Sequence, residues 1–252
     1  MLPVALTGKV GLSTPRYEHF EYAPSCPLVK RGENLPMISA VIPAKKTSVR
    51  LPNKNMRPFK GTTLLGYKIK KLQECQELGE IIVGSDCDEI LAHAEQLGAV
   101  PVKRPDEVCD ESICPANKMI GDLCGRIKTD VVVWTHCTNP NISAATYDHA
   151  IETFLNNRNY DSLISVDLVQ EHLWTPTKLP LNYNPYAKEH TLAKDLPYLY
   201  KQNGAFFIQS HENALKNSYF FGRKPQLFLT DPNESTDINT EIDFKIAEFL
   251  AK

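Results

Sequence analysis

The sequence predicts an α/β protein built on a doubly wound, mostly parallel sheet, and three observations predict it. Short apolar runs alternate with segments whose apolar residues recur every three or four positions, the order that successive βαβ units produce. One run, Val131-Val-Val-Trp134, is continuously apolar, as a strand covered on both faces should be. The 252 residues, 42% hydrophobic and 23% charged, are enough for one full α/β domain. A net charge of −2 leaves no basic surplus for general nucleic-acid binding.

Taken in order, residues 1–36 carry Pro3, Pro15, Pro24, Pro27 and Pro36 without a steady period, so an irregular extension is expected ahead of a domain over 37–252. Ile38 to Ala44 reads as the first strand, because its apolar run meets Pro43 and gives way to polar residues. Thr63 to Leu78 reads as a helix with Leu65, Ile69, Leu72 and Cys75 as its apolar stripe. Glu80 to Asp86 is a strand running into a polar turn. Asp88 to Leu97 is a helix with Ile90, Leu91, Ala94 and Leu97 on one face and Gly98 as its stop. Val100 to Val102 is a brief strand. Ile113 to Ile127 is a helix with Ala116, Ile120, Leu123, Cys124 and Ile127 inward, and Val131 to Trp134 the strand after it. Ala144 to Asn157 follows as a helix and Ser162 to Val169 as the fifth strand, completing a Rossmann-like alternation.

Near residue 170 the pattern changes. Up to about residue 200 come Pro176, Pro180, Pro185 and Pro197 with aromatic residues between them, which reads as an inserted arm. Ala205 to Gln209 and Gln226 to Thr230 return as strands. Thr240 to Ala251 closes as a helix with Ile242, Ile246, Phe249 and Leu250 inward, and Thr240 with Asp243 resembles a capping box.

Chemistry concentrates in the loop after the first strand. Lys45, Lys46, Arg50 and Lys54 fall within ten residues together with Thr47 and Ser48. Ligands of open α/β sheets bind beyond the carboxyl ends of strands, and a cationic loop there suits a polyphosphate. The same residues also fit a solvated basic loop. The GxxxxGK[ST] phosphate loop is absent. Seven scattered cysteines without a CxxC pair favour free thiols in a reducing compartment. No apolar window is long enough to span a bilayer, and the first residues lack a charged-then-apolar leader pattern, so a soluble, cytoplasmic protein without membrane contact is expected.

The loop also resembles a known pattern. Ile42-Pro-Ala44, Ser48, Pro52 and Lys54-Asn55 match the IPARxGSxxxPxKN loop of the CMP-sialic acid synthetase, or acylneuraminate cytidylyltransferase, family; Lys45, Thr47 and Asn53 depart from it. Further stretches carry the resemblance in order. Ile81 to Asp86 with Glu89-Ile90 is similar to the family's VSTD-x-x-EI turn, and Arg104-Pro105-x-Glu107 to its RPxEL turn. Tyr200-Lys201 with Asn203-Gly204-Ala205 is similar to its YRxNGAIY strand. Ser218 to Gly222 and Ser235 to Asp243 are similar to its closing FFG and SxDIDTELD segments.

The resemblance implies a CTP-dependent cytidylyltransferase that passes CMP to an acidic acceptor, a nonulosonic or related 2-keto sugar acid, and releases pyrophosphate. A phosphonate or other small acidic acceptor is the alternative within that chemistry, and a catalytically weak nucleotide-binding homologue the alternative outside it. Lys45, Arg50 and Lys54 would hold the triphosphate, Ala44, Ser48 and Asn55 would bind the nucleotide with them, and Ser85 and Asp86 would lie near the nucleoside. Asp237 would hold Mg²⁺, with Asn239 standing where the family has a second aspartate. Alone, Asp237 also fits a residue that merely favours a helix N-terminus. His136-Cys-Thr138 replaces the family's acceptor-facing QPT. His136 could donate to an acceptor anion or act as a base, and it equally fits a satisfied polar residue at a strand end. Lys194 and Lys201 would bind the acceptor with positive charge where the family uses arginine-bearing positions, and Asn203 would bind it beside them. In the family the arm crosses to a second subunit, so the resemblance implies a homodimer and a dimerisation arm, with Trp174 its anchor.

Overall fold

The computed structural model describes residues 36–46, 48 and 50–251, so the extension expected over 1–36 lies, but for Pro36, outside the described residues. The chain opens with β1 (Ile38–Pro43), the short hairpin β2 (Pro58–Phe59) and β3 (Thr62–Thr63), and α1 (Leu64–Gln73). It continues through β4 (Glu80–Ser85), α2 (Asp88–Gln96), β5 (Val100–Lys103), α3 (Asp106–Cys109) and α4 (Ala116–Gly125). Then come β6 (Val131–Thr135), α5 (Ala144–Asn156), β7 (Ser162–Val169), β8 (Leu199–Ser210) and α6 (His211–Asn217). β9 (Pro225–Leu229) and α7 (Glu241–Leu250) close it.

Seven strands form one sheet in the order β5-β4-β1-β6-β8-β7-β9. β1 pairs in parallel with both β4 and β6, β4 with β5, and β7 with β9; β8 alone runs antiparallel to its neighbours. The chain leaves β1 toward β4 and returns on the other side as β6, so a topological switch lies between β1 and β6. The alternating side chains of β1 go to opposite faces. Ala40 and Ile42 join the core under α1, α2, α5 and α7, whereas Val41 joins a second core under α4 and α6. Gly84 in β4 permits the second layer to seat closely: a Cβ there would lie 2.5 Å from Leu123 Cδ1 and 3.0 Å from Arg104 Cδ.

Local signals explain most element ends. Thr63 caps α1 by accepting from the Gly66 N–H, and Ser143 and Ser210 cap α5 and α6 in the same way. Gly98 takes φ +81° after α2, as a glycine stop should. Thr240 and Asp243 form the expected capping box on α7.

Elsewhere the structure corrects the sequence reading. α1 stops at Gln73 because the N–H groups of Gln76 and Glu77 turn to the Asp148 carboxylate at 3.0–3.1 Å. The helix expected from Ile113 begins at Ala116: Pro115 disfavours helical backbone at Cys114, and Ala116 is exposed. The short helices α3 and α6 were not foreseen, and β8 starts inside the expected arm. The largest correction concerns α7, whose expected inward residues Ile242, Ile246 and Phe249 are 69%, 46% and 86% exposed. The buried face is Phe244, Ala247 and Ala251. Phe244 sets it, packing edge-on to Phe59 at 5.5 Å beneath the Arg57 guanidinium at 4.3 Å.

The arm folds as a loose hairpin. Trp174 bridges Pro180, the Leu181 N–H donates to Leu173 O at 2.8 Å, and Lys178 turns with φ +64°. Trp174, Leu179, Leu181, Tyr186 and Leu192 are all at least half exposed. The six described cysteines are free thiols, and all but Cys87 are buried.

Candidate active site

The site lies beyond the carboxyl ends of β1, β4 and β6. Ala44 is buried, and its N–H donates to Gly84 O at 2.9 Å, prolonging the β1–β4 pairing into the loop. Three contacts then shape the loop. The Lys46 N–H donates to Asp86 Oδ1 at 2.8 Å, Asn55 Nδ2 to Lys45 O at 3.0 Å, and Lys54 Nζ to Ile238 O at 3.1 Å. Asn53, in left-handed backbone at φ 52°, turns the chain into a single 3₁₀ turn over Lys54–Met56.

A cavity of about 450 Å³ opens here. Lys45, Ser48, Arg50, Lys54 and Asn55 line it from the loop, and His136, Cys137 and Thr138 from the turn after β6. These predicted residues are therefore gathered at one place. Lys54 is half-buried; desolvation lowers its pKa, while the nearby Asp237 carboxylate pulls the other way.

His136 is held at both ring nitrogens. Trp134 Nε1 donates to its Nε2 at 3.1 Å, so the Nδ1 proton points to Gly204 O at 2.9 Å. Burial lowers its pKa, and the imidazole is neutral at physiological pH. Proton removal by His136 would first require Trp134 to release Nε2. The geometry makes His136 a fixed wall of the cavity.

Asp237 stands beside the Lys54–Ile238 contact, and Asn239 Nδ2 donates to its Oδ2 at 2.6 Å. The other Asp237 oxygen and the Asn239 amide carbonyl accept no hydrogen bond among the described residues. One carboxylate oxygen and one carbonyl are within what Mg²⁺ takes when phosphates and waters complete its octahedron, so the pair fits that ion.

Other predicted residues lie outside the cavity lining. Ser85 is buried and accepts the Cys87 N–H at 3.1 Å, while Asp86 secures the loop through Lys46. Lys194 is exposed in a 3₁₀ turn of the arm, and Lys201 pairs with Asp167 at 3.1 Å. Asn203 is held within the fold. It is buried in a bulge of β8 where Gly204 takes φ +74°. Its oxygen accepts from Ser165 Oγ at 2.7 Å and Ala205 N–H at 3.1 Å, and its amide donates to Asp167 at 2.8 Å and Thr230 at 2.7 Å. Every hydrogen-bonding position of the side chain is used within the fold, so Asn203 builds the strand.

Several lining residues had no assigned role in the sequence reading. Glu111 pairs with Lys45 Nζ at 2.8 Å. Arg104, 2% exposed, pairs with Asp122 at 3.1 Å and donates to Met119 O at 2.7 Å. Trp134 and Phe220 meet edge-on at 5.7 Å beside His136. Arg104-Pro105 was visible as a turn pattern and Phe220 as part of the Ser218–Gly222 match, but Glu111 carried no sequence signal.

Comparison with known proteins identifies the class. The family described as cytidylyltransferase matches residues 39–250. The chain belongs to the cytidylyltransferase family and is a CTP-dependent nucleotidyltransferase. It is similar to the CMP-N,N'-diacetyllegionaminic acid synthase of Legionella pneumophila, 29% identical over 237 residues that cover 84% of this chain and 95% of that protein. It is also similar to a pseudaminic acid cytidylyltransferase of Campylobacter jejuni, 26% identical over 221 residues, with coverage of 84% and 95%. Among solved structures, CMP:2-keto-3-deoxy-manno-octonic acid synthetase complexed with CTP superposes with a TM-score of 0.63 at 10% identity. That likeness covers 85% of this chain and 98% of that one, and it speaks to the fold alone.

Proposed function

We propose that the protein transfers CMP from CTP to a nonulosonic or related 2-keto sugar acid. One observation carries the acceptor class: over most of its length the chain is similar to proteins named for CMP-activated legionaminic acid and for pseudaminic acid. An acceptor hydroxyl attacks the α-phosphorus in line and pyrophosphate leaves. Lys45, Arg50 and Lys54 hold the triphosphate, and Ser85 and Asp86 lie toward the nucleoside. Asp86 and Asn55 keep the loop in shape through Lys46 and Lys45. His136 and Thr138 form the acceptor wall, with Lys194 and Lys201 adding positive charge from the arm and β8. Asp237 and Asn239 would hold Mg²⁺, which supplies charge neutralisation on the leaving group when bound.

The replacement of a second aspartate by Asn239 favours one other reading, a nucleotide-binding homologue with weak catalysis. Pyrophosphate release with CTP, Mg²⁺ and a panel of sugar acids and phosphonates separates the readings. Turnover with a 2-keto sugar acid supports the proposal, turnover with a phosphonate alone redirects it, and CTP binding without turnover overturns it.

The exposed apolar residues of the arm support a C₂ homodimer, with Trp174, 51% exposed, as an anchor. Sedimentation of the wild-type protein should give a dimer and Trp174→Ala a monomer; an active wild-type monomer would refute the assembly. A cytoplasmic location is proposed with it. Among the described residues no helix is long and apolar enough to cross a membrane.

A further inference from the structure

We propose that Lys68 is a positioning residue for the transfer reaction, its ammonium fixing from below the 136–140 turn and, through it, the segment that carries Asp237. The proposal rests on the cytidylyl-transfer reading for its kinetic consequence. Lys68 lies on the core face of α1 and is fully buried. Its Nζ donates to Asn139 O at 2.8 Å and to Tyr147 Oη. Among the described residues no carboxylate pairs with it.

The direction of the network is fixed by chemistry. Asn139 O can only accept, so Lys68 donates to it whether charged or neutral. Thr135 Oγ1 spends its proton on Ala205 O at 2.8 Å, so the Tyr147 hydroxyl donates to Thr135 at 2.7 Å and accepts from Lys68. Lys68 thus ties α1 to α5 and, through Tyr147 and Thr135, to β6 and β8. Above it, Thr138 O accepts the Ile238 N–H at 2.8 Å, Ile238 O accepts Lys54 Nζ at 3.1 Å, and Asn139 Nδ2 reaches Ser235 O at 3.3 Å. The carbonyl that Lys68 grips belongs to the residue beside Thr138. Its position therefore sets the height of Ile238, and with it both Lys54 and Asp237.

A buried cation without a carboxylate is an expensive way to fill a core, and an apolar residue of similar shape is often neutral or stabilising at such a site. Burial lowers the Lys68 pKa to about 7, which reports the same cost. The stability of the fold alone does not call for a lysine here, whereas the orientation of the turn does.

The test is Lys68→Met and, separately, Tyr147→Phe, which keeps the ring packing and removes one partner of the ammonium. Lys68→Met should lower kcat at least about ten-fold while CTP Kd stays within about two-fold and Tm is equal or higher. Tyr147→Phe should lower kcat several-fold, with less than additive loss in the double variant. Amide hydrogen exchange gives a readout that needs no turnover: in Lys68→Met, exchange at Ile238 should quicken about ten-fold while Val133 in β6 keeps its rate. Wild-type kcat in both single variants, or unchanged Ile238 exchange in Lys68→Met, overturns the proposal. Should Lys68→Met fail to fold, Tyr147→Phe decides through the same two readouts. A wild-type protein without transferase activity would sink the transfer reading, and Ile238 exchange would still decide whether Lys68 positions the turn.

Discussion

Replacing Lys54 by Ala probes the cationic lining where it is most constrained. The ammonium is half-buried, anchored to Ile238 O at 3.1 Å, faces the cavity and sits within the field of Asp237. Lys45 and Arg50 line the same cavity, so the variant removes one of three proposed phosphate contacts and leaves the others. A hydrogen bond to a charged group contributes about 1.5–3 kcal/mol, which at 1.36 kcal/mol per decade is a loss of roughly 10- to 150-fold in turnover. Because the backbone carbonyl it leaves can turn to water, the fold should survive with little change in melting temperature. The assay is the initial rate of pyrophosphate release at saturating CTP and acceptor. If the contact strengthens as charge moves onto the leaving group, kcat falls more than CTP affinity does. Lys54→Arg should restore only part of the rate, since a planar fork does not reproduce a point charge bound to Ile238 O. Turnover within about two-fold of wild type in Lys54→Ala would refute the role assigned to this side chain.

Three further outcomes are expected. Asn239→Asp adds a second carboxylate beside Asp237 and should lower the Mg²⁺ concentration for half-maximal turnover several-fold; an unchanged Mg²⁺ titration would remove the ion from this pair. Phe244→Ala should cost about 3–4 kcal/mol in urea unfolding, and Phe249→Ala less than about 0.5 kcal/mol; equal losses would mean that α7 buries another face. Asp122→Asn leaves the buried Arg104 without its carboxylate and should cost about 3 kcal/mol at neutral pH. Burial works against the Asp122 charge, but Arg126 and Arg104 outweigh it and hold its carboxyl below the usual range. Its stabilisation is thus present above the unfolded value near 4 and is lost as pH falls through the lower folded value, so the wild-type and variant unfolding curves should converge in acid.

The parts of the fold that were legible in the sequence share a cause. Strands buried on both faces, such as β6, are continuous apolar runs, and helices with one apolar stripe, such as α2, leave no choice of face. α7 shows where that logic ends. Ile242, Ile246 and Phe249 form one apolar stripe and Phe244, Ala247 and Ala251 another, and only the contact with Phe59 and Arg57 chooses between them. The loop cations were legible because they cluster in sequence immediately after a strand. A motif match does not reveal that Asn203 sits in a bulge with its amide bonded to Asp167 and Thr230. Lys68 was hidden for a related reason: a lysine within a helical stripe looks like a solvated residue until Asn139 and Tyr147, 71 and 79 residues away, are brought to it.

The most direct test of the central claim is mass analysis of the product formed from CTP, Mg²⁺ and a 2-keto sugar acid. The expected product is an acceptor joined to CMP through a phosphodiester, formed one for one with pyrophosphate and absent when the acceptor is omitted. Pyrophosphate release that continues without acceptor, or a CTP-saturated protein that yields no joined product with any acidic acceptor, would contradict it.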